Sequence, residues 1–256
     1  MSTALRRPVF VANWKMNYGP TEARAFVAGF AAKWSPRDDR TIIICPPAIS
    51  LTTVAHALGA RTDIAVGVQN VWTEEKGAFT GETSAPMARD AGARFALVGH
   101  SERRHLFGET DAQAAAKCAV AAKAGLTPVL CVGEMLAQRE SGGTMDCVLR
   151  QLRAGLSSLD ESTIASMAIA YEPCWAIGTG KTATPDDASE VHTRIRDALR
   201  ELVGDAAHEI PILYGGSVNA KNAAALMAAT HVDGLLVGGA SLDVESWAAI
   251  CGIAYP

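Results

Sequence analysis

Eight short apolar runs, each followed by a stretch with helical spacing, constrain this chain more than any other feature. The runs occupy 9–12, 41–45, 64–68, 95–98, 128–132, 167–171, 212–214 and 234–237. Each is continuously apolar rather than alternating, which marks a strand covered on both faces, as in a parallel sheet. Helices are expected between them. One opens at Gly19-Pro20 and carries Ala23, Phe26, Val27, Phe30 and Trp34 on a single stripe. Others cover about 50–58, a short piece after the loop containing 77–82, 111–124 closed by Gly125, and about 146–156. Thr184-Pro185-Asp186-Asp187 reads as a cap, an N1 proline and an acidic first turn, for a helix that stops at Gly204. Asn219 is expected to cap the next helix, and the last contains Trp247 and Ile250.

Eight strands alternating with eight helices define an α/β chain. At 256 residues, close to the roughly 250 usual for a (β/α)8 barrel, the length favours a closed TIM barrel over an open doubly wound sheet. Strand pattern alone leaves the open sheet as an alternative. The only Gly/Ser cluster, Ser141-Gly142-Gly143, is too short for a linker, so residues 1–256 are expected to form one domain. A net charge of −4 without a basic run argues against a nucleic-acid surface. The N-terminus lacks an apolar signal region, and no apolar run approaches a membrane span. Six cysteines without a Cys-x-x-Cys pair point to reduced thiols in a cytoplasmic protein, with no zinc site.

Polar residues collect just after the strands, where a barrel keeps its active site. Asn13 and Lys15 follow the first run, His100 the fourth and Glu172 the sixth. A lone carboxylate at a strand end, followed by Pro173 and a small-residue stretch through Gly180, suggests a base beneath a lid. The same stretch does not bind nucleotide phosphates as a Walker loop, because the glycine that motif requires is here Trp175. Nor does Gly178-Thr179-Gly180 join a strand directly to a helix, as a dinucleotide fingerprint must. The pairs Gly215-Gly216 and Gly238-Gly239 are either tight turns needing positive φ or bare backbone held close to a phosphate. Their occurrence after both of the last two strands favours phosphate.

At these residues the chain resembles the triosephosphate isomerase family over essentially its whole length. The motifs are Asn13-Trp-Lys-Met-Asn17, Gly77-Ala-Phe-Thr-Gly-Glu82, Gly99-His-Ser-Glu-Arg-Arg104, Tyr171-Glu-Pro173, Trp175-Ala-Ile-Gly-Thr-Gly-Lys181, Tyr214-Gly-Gly-Ser217 and Val237-Gly-Gly239. The resemblance implies a cofactor-independent aldose–ketose isomerase of glycolysis and gluconeogenesis, acting on triose phosphates through an enediolate. It implies Glu172 as general base, a neutral His100 as electrophile, and Lys15 with Asn13 against the enediolate charge. Gly178, Ser217, Gly238 and Gly239 would hold the phosphate, with no metal or organic cofactor. It further implies a homodimer through the loop around Thr80, a cross-subunit pair of Glu82 with Arg103, and Glu102 as the partner orienting Lys15. The rival activities are isomerisation of a four-carbon ketose phosphate, an aldolase-type phosphate barrel, and an inactive scaffold. Intact Lys15, His100 and Glu172 oppose the scaffold, and the lack of a lysine ending the sixth run opposes the aldolase. Cys174 departs from the family, which has an aliphatic residue at this hinge. Its thiol is expected to be open to oxidation when the lid exposes it.

Overall fold

A computed structural model describes residues 5–176 and 183–255. Eight parallel strands close into a barrel in sequence order: β1 (Val9–Asn13), β2 (Thr41–Cys45), β3 (Ile64–Val68), β4 (Phe95–Val98), β5 (Thr127–Val132), β6 (Ala168–Tyr171), β7 (Ile212–Tyr214) and β8 (Gly234–Val237). The last strand pairs with the first, setting Val9 beside Gly234 and Ala12 beside Val237. Closure leaves no sheet edge to be capped, so the open-sheet alternative is excluded.

Each strand is apolar throughout because its two faces meet two separate cores. Residues on one face, including Val9, Val11, Ile43, Leu97, Val129, Ala168, Ala170 and Leu213, fill the lumen. Their neighbours Phe10, Ala12, Ile42, Ile44, Ile169 and Tyr171 pack outward against the helices. The stripe expected on the first helix, Pro20–Lys33, is buried here: Phe26 and Phe30 stack towards Trp34, and Trp14 meets Phe26 edge-on at 4.9 Å.

Eleven α-helices are present among the described residues, three more than the eight expected. The additions, Ser101–Leu106, Leu136–Glu140 and Glu161–Ser166, are one- to two-turn pieces at the loops flanking β4, β5 and β6. Such short helices give little periodic signal, and only Glu161–Ser166 has a standard cap residue, Asp160. The expected terminators hold elsewhere. Thr184 and Asp187 form a reciprocal capping box ahead of Pro185–Val203. Gly125 takes φ +76° just past Asp111–Lys123, a conformation that favours glycine. Asn219 acts one turn earlier than expected. Its side chain accepts the amides of Lys221 and Asn222, capping a turn that leads into the helix Ala223–Met227.

One close approach fixes the geometry of the barrel mouth. Gly133, just past β5, lies so near β6 that a Cβ there would fall 1.7 Å from the carbonyl oxygen of Glu172. Buried Gln151 pins the same residue from beneath, accepting its N–H at 2.7 Å and donating to its carbonyl at 3.1 Å. Gly133→Ala is therefore expected to destabilise the protein by ~3 kcal/mol or more, since the clash is with backbone that cannot swing aside. Chemical unfolding of the two proteins measures it; an unchanged midpoint would mean that the strands need not approach this closely.

Candidate active site

The two-residue period of a strand places the reactive groups. Inward-facing positions in β1 run Val9, Val11 and then Asn13; from β6 they run Ala168, Ala170 and then Glu172. The apolar lumen thus ends in a polar layer, and the first carboxylate past β6 points into the mouth. Glu172 keeps the ladder going by donating its N–H to Val132 at 2.8 Å, and it is almost wholly buried. The mouth is a cavity of about 370 Å³ lined by Asn13, Lys15, His100, Glu172, Ser217 and the glycine pairs after β7 and β8.

His100 comes from a different local device. It is the N-cap of Ser101–Leu106, and its Nδ1 accepts the N–H of Glu102 at 3.2 Å. Glu102 in the first turn and Arg103, Arg104 and His105 in the last match the helix dipole, and that pattern could have revealed this helix from sequence. With Nδ1 accepting, the ring proton sits on Nε2, which lies 3.0 Å from Glu172 Oε1. The other carboxylate oxygen accepts the Ser101 N–H at 2.8 Å.

Burial alone would raise the Glu172 carboxyl, but the facing His100 ring and the Ser101 amide outweigh it and hold Glu172 below the ordinary carboxylate range. Burial disfavours charge on His100, but Glu172 and Glu102 outweigh it and raise the ring's proton affinity on balance. The hydrogen-bond geometry opposes that pull. A second proton at Nδ1 would face the Glu102 N–H, so the ring in this arrangement is neutral.

Lys15 is held by strain and by partners. Its φ of +51° is unusual for a side chain other than glycine. Its N–H donates to Asn13 Oδ1 at 3.0 Å, and Gln69 Nε2 donates to its carbonyl at 2.8 Å and to that of Cys45 at 2.9 Å. Nζ reaches Glu102 Oε1 at 2.7 Å. Gln69 was missed in sequence, although it directly follows β3 and so obeys the strand-end rule that flagged the others.

None of the four glycines at the phosphate end has a positive φ, so none serves a tight turn that needs one. A Cβ at Gly215 would sit 3.0 Å from Glu172 Cγ, one at Gly216 2.2 Å from the Tyr214 hydroxyl, and one at Gly238 3.2 Å from Lys15 Cε. A Cβ at Gly239 would meet nothing within 4 Å, so no packing within the chain demands glycine there. Gly239 opens the 3-10 turn Gly239–Ser241, a backbone suited to an anion. Gly178 and the rest of the expected lid from 177 to 182 lie outside the described residues.

Other charges underpin the loop after β4. Arg104 donates to the Gly99 carbonyl at 2.7 Å and pairs with Asp111 at 2.6 Å. Gly99, at φ +71°, gives its N–H to buried Glu109, which also takes Arg103 at 2.9 Å and Lys117 at 2.5 Å. Arg103, expected opposite Glu82 of a second chain, thus engages Glu109 of its own chain through Nε. Thr80 is exposed at the tip of its loop and Glu82 half-buried. Buried Glu134, after β5, accepts the Tyr171 hydroxyl at 3.1 Å and the Trp175 indole N–H at 2.8 Å, fixing the start of the hinge. The Cys174 Sγ lies 3.4 Å from the Glu172 carbonyl, and burial pushes its thiol well above the ordinary range in this arrangement.

A family model described as Triosephosphate isomerase matches residues 8–254. The chain belongs to the triosephosphate isomerase family. It is 47% identical to a triosephosphate isomerase of Moorella thermoacetica over 96% of this chain and 98% of that one. It is also 47% identical to one from Thermus thermophilus, over 98% of this chain and all of the other. The crystal structure of triosephosphate isomerase from Bartonella henselae superposes with a TM-score of 0.86 at 39% identity, covering 96% of this chain and 98% of that one. Membership in this family accords with the neutral imidazole at a helix N-terminus, for which triosephosphate isomerase is the standard example.

Proposed function

We propose that this chain interconverts dihydroxyacetone phosphate and D-glyceraldehyde 3-phosphate in glycolysis and gluconeogenesis, with Glu172 as the base. The carrying observation is the 3.0 Å contact between an ionised Glu172 and the Nε2–H of a neutral His100 in one phosphate-sized mouth. Glu172 takes a proton from the carbon beside the carbonyl and returns it to the neighbouring carbon. The His100 N–H, now given to Glu172, is donated to the substrate oxygen on which negative charge develops. Lys15 and Asn13 face the same charge, where fixed donors lower the barrier most. Ser217, Gly238 and Gly239 hold the phosphate, joined by Gly178 on the strength of its motif alone. The set of residues requires no cofactor for this proton transfer. The Glu172→Gln protein is expected to fold normally and lose on the order of 10²–10⁴-fold in turnover in a coupled assay with D-glyceraldehyde 3-phosphate. Four-carbon ketose phosphates serve as the comparison substrates, and native-level turnover by the variant would remove Glu172 from the chemistry.

The chain is further read as one domain, 1–256, and as a cytoplasmic homodimer. All six cysteines are free, and no helix among the described residues is long and apolar enough to cross a membrane. Support for the dimer comes from exposed apolar side chains. Met16, Ile49, Phe79, Met87, Leu106 and Phe107 are exposed on the segments that follow β1, β2, β3 and β4, which are neighbours around the rim. Such a patch marks a protein interface. In this reading Thr80 enters the partner's mouth, Glu82 approaches the partner's Arg103, and Glu102 orients Lys15. Replacing the loop tip 77–82 by a short turn should convert the dimer to monomer in light scattering and lower turnover; a monomeric native protein would refute the interface.

A further inference from the structure

The opposite end of the barrel carries a second cavity, of about 770 Å³, around the N-terminal ends of β1 to β5. Its floor is apolar, where Leu5, Ala65 and Phe95 close the lumen from below. Its rim is basic. Arg6, Arg37, Arg40, Arg89 and Arg94 line it, against Asp38 and Asp63 alone. This concentration runs counter to a chain whose net charge is −4.

Pairing within the chain accounts for part of the cluster. Asp39 takes Arg37 in a fork at 2.9 and 2.5 Å and Arg40 at 2.9 Å, and Arg40 also caps the carbonyls of Cys251 and Ile253. Asp63 is neutralised by Arg61 through two bonds of 2.7 Å. Asp38 is exposed and close to Arg6. Two guanidinium groups remain without a carboxylate. Arg89 donates only to the Ala93 carbonyl, at 3.3 Å, with Nε lying 3.8 Å from where a Gly125 Cβ would be. Arg94 makes no side-chain hydrogen bond or ion pair among the described residues, yet its backbone is locked at the rim. It donates to Val66 at 2.7 Å and accepts from Thr127 at 2.8 Å.

Neither packing nor pairing within the chain requires these two cations at one cavity, and an anion there would give both a partner. Guanidinium forks fit phosphate oxygens two at a time. The volume lies in the roughly 300–1,000 Å³ range of small-molecule sites and well above that of the triose-sized mouth. We propose that this cavity binds a polyphosphate chain, free or as the phosphate arm of a nucleotide, held by Arg89 and Arg94.

Isothermal titration of the full chain with sodium tripolyphosphate and with ATP tests this, with the mouth at the other end filled by a phosphate-bearing enediolate mimic. One ligand per chain is expected, weakening at least tenfold in Arg89→Ser/Arg94→Ser and also in Arg94→Glu. Thermal melting of both variants checks that they fold. The dependence on these arginines separates the two ends of the barrel whether or not the mouth is filled. Tighter binding of ATP would identify a nucleotide using the Phe95 floor, and equal affinities a free polyphosphate. Absence of binding to the native chain, or equal affinity in the folded variants, would overturn the site.

Discussion

Closure of β8 onto β1 is the constraint on which the rest of this molecule depends. An open sheet would leave Asn13 and Lys15 at one edge and Gly238 at the other. The pairing of Val9–Ala12 with Gly234–Val237 brings a Gly238 Cβ position within 3.2 Å of Lys15 Cε. Closure also turns the alternation of each strand into a lumen, so that the next inward position past Ala168 and Ala170 must project into the mouth. Glu172 occupies that position by arithmetic of the pleat rather than by a special loop.

Placing a carboxylate there is costly unless it has partners, because an uncompensated buried charge destabilises by about 3–5 kcal/mol. The structure answers with local donors only: the His100 ring, the Ser101 amide and, nearby, Lys15. Overall charge contributes nothing favourable to anion capture, since the chain is net negative. In the proposed reaction, substrate binding and catalysis therefore rest on oriented N–H groups and one lysine. That lysine is itself fixed by Glu102, Asn13 and Gln69. Rigidity in this first layer comes from Gly133, Gln151, Arg104 and Glu109, none of which lines the mouth.

Much of this was legible in the sequence, for identifiable reasons. Strands buried on both faces leave continuous apolar runs, and five of the eight, such as Thr41–Cys45 and Gly234–Val237, have the expected bounds. Asn13, Lys15, His100 and Glu172 were found by position after a strand, and closure alone brought them together. The short helices escaped because one turn has no measurable period, and with Ser101–Leu106 went the reason for a neutral His100. Gln69 escaped because its role is two hydrogen bonds to backbone carbonyls set by the fold, and Glu109 because Gly99, Arg103 and Lys117 converge on it only in the folded chain. The glycine pairs were ambiguous until their φ angles removed the reading as turns that need positive φ. Arg103 binds Glu109 of its own chain through Nε, a contact that no motif announced.

Barrel closure delivers an ionised Glu172 to the Nε2–H of a neutral His100. Nitrogen-15 NMR of the imidazole ring tests it most directly. Across pH 6 to pH 8, which brackets the ordinary histidine pKa of about 6.5, His100 should remain a neutral ring with Nδ1 unprotonated and Nε2 protonated. An imidazolium signature at pH 7, or the opposite tautomer, would contradict it.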